Sequence, residues 1–152
     1  MTPVFKKMTY KGQNPIHVVD APLSFLPELE AMSAYTAIQT EVGPADQVTF
    51  ALTFVTSLQR IESAVKTQFP RLTPEAAWWF AYPKGSSKKY RCDFNRDTGW
   101  AALGELGFEG VRIISIDADW SALRFRPVEQ IKHFTRRSTM ALSEQGKERG
   151  KK

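Results

Sequence analysis

Apolar residues along this chain fall into short blocks separated by polar turns, and the period inside the blocks switches between strand-like and helix-like spacing. Residues 16–20 (IHVVD) read as a short buried strand ending at Ala21-Pro22, followed by a brief helix with Phe25, Leu26 and Leu29 on one side. Residues 35–42 form a second candidate strand, stopped by the breaker pair Gly43-Pro44. Residues 48–55 (VTFALTFV) are almost uninterruptedly apolar, as in a strand covered on both faces. Thr56 and Gln59 then read as a capping box for a helix in which Leu58, Ile61, Val65 and Phe69 recur until Pro70. Beyond a loop at 72–75, residues 76–82 (AAWWFAY) predict another buried strand. A polar segment over 83–95 leads to Asp97, the expected cap of a short helix that carries Trp100, Leu103 and Leu106 and stops at Gly107. Strands at 111–117 and 122–126 flank a hairpin turn, and a last helix starts near Pro127 with Val128, Ile131 and Phe134 on its apolar side.

Strands alternating with helices and closing in a hairpin predict an α/β fold, a sheet with helices on both faces and a C-terminal antiparallel hairpin. One step conflicts with parallel pairing throughout. About five residues join the second and third strands, too few for a parallel crossover, so that pair is antiparallel or the second strand is irregular. The pattern predicts one domain over 1–137, with an ordered core from about 14 to 137, and a basic flexible tail at 138–152.

Charge sharpens this division. Over residues 1–131, 14 Lys and Arg balance 14 Asp and Glu, so the whole excess of +5 lies in the last 21 residues, 132–152. A basic end of this kind reads as a solvated, frayed terminus rather than a nucleic-acid surface, because it brings no groove-reading geometry. No block approaches the roughly 18 apolar residues that a membrane-spanning helix needs. The early lysines are not followed by the apolar stretch of a secretory signal. A lone cysteine, Cys92, makes no internal disulfide and no zinc site, which points to the reducing cytoplasm.

From Asp46 onward the order of elements is similar to the second half of the Rossmann-like class I methyltransferases: Asp46, the strand 48–55, the strand ending at Pro83, and the closing hairpin 111–126. The first half departs from that family. Where a methyltransferase has a Gly-rich turn that lets backbone approach the cofactor, this chain has Asp20-Ala21-Pro22-Leu23, and Glu41 is its one candidate for holding the ribose. The resemblance therefore implies a reduced Rossmann-like sheet with no cofactor. A second resemblance covers roughly residues 76–128. Its motifs are Tyr82-Pro83-Lys84, Asn95-Arg96-Asp97 with Gly99-Trp100, and Asp119-Trp120-Ser121 running on to Phe125; they resemble a family of uncharacterised bacterial proteins, from which no activity follows.

The segment 82–97 carries the densest candidate chemistry. It starts at the carboxyl end of a buried strand, where open α/β sheets form ligand crevices. Between Lys84 and Arg96 it holds five cations against one carboxylate, Asp93. Tyr82, Lys84, Ser86, Ser87, Lys88, Arg91, Asn95, Arg96 and Asp97 form the candidate ligand set, with a helix start at Asp97 that also favours an anion. The plainer alternative is a solvated loop with Asp97 as a cap only. Asp117 and Asp119 read as turn formers rather than paired catalytic carboxylates. Arg112, Arg124 and Arg126 form one polar sheet face able to pair with Asp117 and Glu129 or to extend the basic loop. His17 and His133 read as packed or surface residues, and no metal set, nucleophile elbow or phosphate loop occurs.

Three readings follow. The first is a non-catalytic binding or accessory domain for a small anionic ligand or a protein partner. The second is an enzyme on a phosphorylated or carboxylated substrate, using Asp20, Asp97 or Asp117. The third is a weak nucleic-acid binder, against which the zero net charge of residues 1–131 weighs. No sequence pattern fixes the oligomeric state.

Overall fold

The uninterrupted apolar run becomes β3 (Val48–Phe54), and strands occupy both of its edges. The computed structural model describes residues 2–94 and 99–130, and six strands among them form one sheet. The others are β1 (Ile16–Val19), β2 (Ile38–Gln39), β4 (Leu72–Pro83), β5 (Phe108–Ser115) and β6 (Trp120–Pro127). Their spatial order is β2-β1-β3-β4-β6-β5, parallel from β2 to β4, with β6 antiparallel to both β4 and β5. This is the expected α/β architecture, a reduced Rossmann-like sheet closed by an antiparallel hairpin.

Helices cover both faces. On one lie α1 (Pro3–Lys7) and α2 (Leu26–Met32), which bury Phe5, Leu29 and Met32 against Phe50, Leu52 and Trp79. On the other lie α3 (Leu58–Gln68) and α4 (Ala101–Gly104), with Ile61, Val65 and Leu103 packed on Trp78, Phe80 and Phe125. The period-two alternation of β4 divides its residues between these cores, Trp79 and Ala81 to the first and Trp78, Phe80 and Tyr82 to the second. Trp78 carries a polar N–H into its core. It donates to Gln68 Oε1 at 2.8 Å, and the Gln68 amide donates in turn to Thr53 Oγ1 at 2.7 Å. A buried polar chain of this kind is tolerable because each member has its partner.

Four local expectations are corrected. The core does not start at about residue 14, because Val4, Phe5 and Met8 belong to it. Thr2 accepts from the Phe5 N–H and Pro3 occupies the first turn, a start signal for a helix too short to show periodicity. The second strand shrinks from 35–42 to Ile38–Gln39 and pairs with β1, not β3. Thr36 Oγ1 donates to Gln13 O, and the Ala37 N–H donates to Asn14 Oδ1, so side-chain bonds hold these residues to the loop before β1. A two-residue strand beside the start of β1 leaves the chain only a short drop to Val48, so no crossover helix is needed.

The cap of α3 is Ser57, one residue later than the expected Thr56; its Oγ accepts from the Arg60 N–H at 3.2 Å. The expected loop at 72–75 lies within β4. Val48 pairs with Leu72 and Phe50 with Ala77, so the extra residues 73–76 bulge out of the ladder. Gly107 does close the short helix region, in a left-handed conformation (φ 80°). Residues 128–130 form a single 3-10 turn; the rest of the expected last helix and the basic tail lie outside the described residues.

Two substitutions test this core by urea denaturation. Phe5→Ala is expected to cost about 3–5 kcal/mol, the range for truncating a fully buried aromatic residue. A loss under about 1 kcal/mol would mean that α1 is not part of the core. Gln68→Ala should cost about 2–4 kcal/mol, because it strands the Trp78 N–H and the Thr53 hydroxyl in the interior.

Candidate functional site

Parallel strands bring their carboxyl ends to one edge of the sheet, and ligands of such folds gather where the strand order reverses or where a strand end opens. Here the order reverses between β1 and β3. Asp20 ends β1 in the left-handed region (φ 59°), which Asp tolerates better than most residues. Arg60 of α3 meets its carboxylate at 3.5 Å, with both side chains more than half exposed. The chain then turns through Ala21 and Pro22 into Phe25, which is buried with its ring centroid 5.0 Å from that of Phe54. The turn has no glycine, Pro22 contributes no N–H to it, and Glu41 is an exposed residue two positions past β2.

The end of β4 is built differently. The Lys84 N–H donates to Asp119 O at 2.8 Å, and Lys84 Nζ donates to Ser115 Oγ at 2.6 Å, which ties the start of the loop to the β5–β6 hairpin. A turn follows, closed by the Ser87 N–H on Lys84 O at 2.9 Å. Ser87 Oγ donates to Asp119 Oδ1 at 2.9 Å and accepts from the Tyr90 N–H at 3.2 Å. Asp117 accepts from the N–H groups of Asp119 and Trp120, the turn-forming role expected of it. Phe94 turns back inward and packs on Trp100 with centroids 5.2 Å apart. Gly99 makes this return possible: its φ is +93°, and a Cβ there would lie 2.7 Å from that of Phe94.

Between the loop and the hairpin lies a cleft of about 670 Å³. Of the candidate set, Tyr82, Lys84, Ser86, Ser87 and Arg91 line it, whereas Lys88 is exposed and stands apart from it. Asn95, Arg96 and Asp97 lie outside the described residues. Tyr90, outside the candidate set though within the same segment, also lines the cleft, as do Ile113 and Ser121, which the sequence reading missed. Ile113 and Ser121 arrive through the pairing of β5 and β6, a long-range register that no local pattern announces.

Two expectations about this segment change. The Ser87 hydroxyl is already engaged by Asp119 and does not offer its proton to a ligand. The chain itself supplies an anion to a helix start, since Asp93 Oδ1 accepts from the Leu58 N–H at the head of α3 at 2.9 Å. The arginine face turns away from the loop as well. Arg112 Nε donates to Lys7 O and Arg124 to Thr9 Oγ1, not to Asp117. Burial, then the neighbouring Arg126 and Arg112, hold the Arg124 guanidinium below the usual arginine range. His17 is packed within the sheet, 3.6 Å from the Asp46 carboxylate; His133 lies outside the described residues. Among the described residues no helix is long and apolar enough to cross a membrane.

No family model and no curated protein matches the chain. Similar solved structures include LepI in complex with SAM, at 11% identity and a TM-score of 0.48, covering 82% of this chain and 39% of that one. A protein of Sulfolobus solfataricus assigned as a type 11 methyltransferase is 12% identical with a TM-score of 0.44, covering 77% of this chain and 73% of its own. A Streptococcus pneumoniae protein assigned as a tRNA methyltransferase is 9% identical with a TM-score of 0.45, covering 88% and 72% respectively. The chain thus spans about two fifths of LepI. At these values the likeness assigns neither a cofactor nor an activity.

Proposed function

We propose that this protein is a non-catalytic binding domain whose cleft at the carboxyl end of β4 holds a small organic anion. One observation carries the reading: the described lining of the cleft includes the cations Lys84 and Arg91 and no carboxylate, beside the aromatic walls of Tyr82, Tyr90 and Phe94. A planar guanidinium suits a carboxylate, and the rings suit a flat apolar body. An aromatic carboxylate meets both demands. An enzymatic reading that works through a carboxylate would need Asp20 or Asp117 to face this cleft. Asp20 is instead engaged with Arg60 and Asp117 with its own turn, which supports binding over turnover.

Thermal shift with benzoate, acetate, inorganic phosphate and S-adenosylmethionine, at low and moderate salt, tests this. Benzoate at about 100 times its dissociation constant should add roughly 2.7 kcal/mol, a rise of about 5–10 °C, and acetate should do much less. Arg91→Ala should weaken benzoate about tenfold or more, the loss expected for one charge-assisted hydrogen bond, while Lys88→Ala leaves it unchanged. Equal effects of the two substitutions would reduce the cleft to a diffuse surface charge and defeat the proposal.

A further inference from the structure

A second cleft, of about 950 Å³, opens at the opposite end of the sheet, between the loop that follows α1 and the bulge of β4. Its wall on the β6 side carries Arg124 and Arg126, and Lys11 stands on the loop side. Arg112 lies directly across the β5–β6 ladder from Arg124. Like charges placed opposite each other in a sheet repel, and an apolar or neutral side chain would spare the fold that cost. Arg124 is also half-buried, and its Nε is shielded from solvent without a hydrogen-bond partner among the described residues. Its Nη1 reaches only Thr9 Oγ1, at 3.3 Å. The groups that perturb Arg124 most, after burial itself, are two further arginines. A desolvated cation facing cations is a site lacking its counter-charge.

We infer that this cleft is a binding site for a small organic phosphate, whose dianionic group bridges Arg124, Arg126 and Lys11. A phosphate presents three terminal oxygens, enough to meet the ends of the Arg124 and Arg126 guanidinium groups and the Lys11 ammonium together, which a monoanionic carboxylate does less well. The cleft leaves room for a body beyond the bare ion. Thr49 and Thr73 line the remaining wall; Thr73 Oγ1 donates to Val48 O at 3.4 Å and keeps its lone pairs as acceptors, which suits a hydroxylated body such as a sugar. Glu75 and Glu129 also border the cleft; both are exposed, where water and salt screen them. This site is independent of the cleft at the end of β4, which lies at the other edge of the sheet.

Isothermal titration of the full chain with ribose 5-phosphate, with ribose as the uncharged control, tests the inference. Binding of the phosphate ester but not of ribose is expected. Arg126→Gln should weaken it about tenfold or more, while Arg91→Ala, in the other cleft, leaves it unchanged. Lys11→Gln alters an exposed loop residue and serves as the second variant should Arg126→Gln fail to fold; it too should lower the affinity. Equal binding of ribose, no binding at millimolar ester, or loss with Arg91→Ala but not with Arg126→Gln or Lys11→Gln would each overturn the inference.

Discussion

The rest of the structure depends on how β4 distributes its aromatic residues. Trp78, Trp79 and Phe80 are consecutive and fully buried, so pleating must send them to alternate faces, and each face must be covered. That requirement fixes the layers: α3 and α4 on the side of Trp78 and Phe80, α1 and α2 on the side of Trp79. It also fixes the neighbours, because a strand buried on both faces needs both edges hydrogen-bonded, which β3 and β6 supply. The Gln68 amide between Trp78 and Thr53 then sets the position of α3 along the sheet.

Both clefts lie at ends of this same strand. At its carboxyl end the chain leaves the sheet as a polar loop, held to the β5–β6 hairpin by Lys84 and Ser87 and returned to the core by Phe94. At its amino end the bulge at 73–76 pushes chain out of the ladder and leaves a wall for the second cleft. Rigid central pairing with irregular ends is how an α/β sheet combines stability with open surface.

The architecture was legible where burial was continuous. The runs at 16–20, 48–55 and 76–82 and the Leu58-to-Val65 spacing became β1, β3, part of β4 and α3, since two-sided covering leaves an apolar mark in the sequence. Local polar chemistry was read correctly at Asp117, whose short side chain acts on its own turn. Elements decided by tertiary partners were not legible: α1 is helical because a core awaits Phe5, and β2 is short because Asn14 and Gln13 take its neighbours. The site was half legible. Composition marked Lys84, Ser86 and Arg91, but the engagement of Ser87 by Asp119, 32 positions away, is a product of folding.

The docking of α1 has a consequence for biosynthesis. Lys7 O accepts from Arg112 and Lys7 Nζ donates to Ser115 O, contacts more than a hundred residues apart in sequence. Residues 2–10 are made before β5, which completes their binding surface. At roughly 5–20 residues per second Lys7 waits several seconds for β5, whereas Phe25 and Phe50, which pack on Phe5, are made sooner. Closure of the first core is a late event that joins α1 to β5 across more than a hundred residues of sequence.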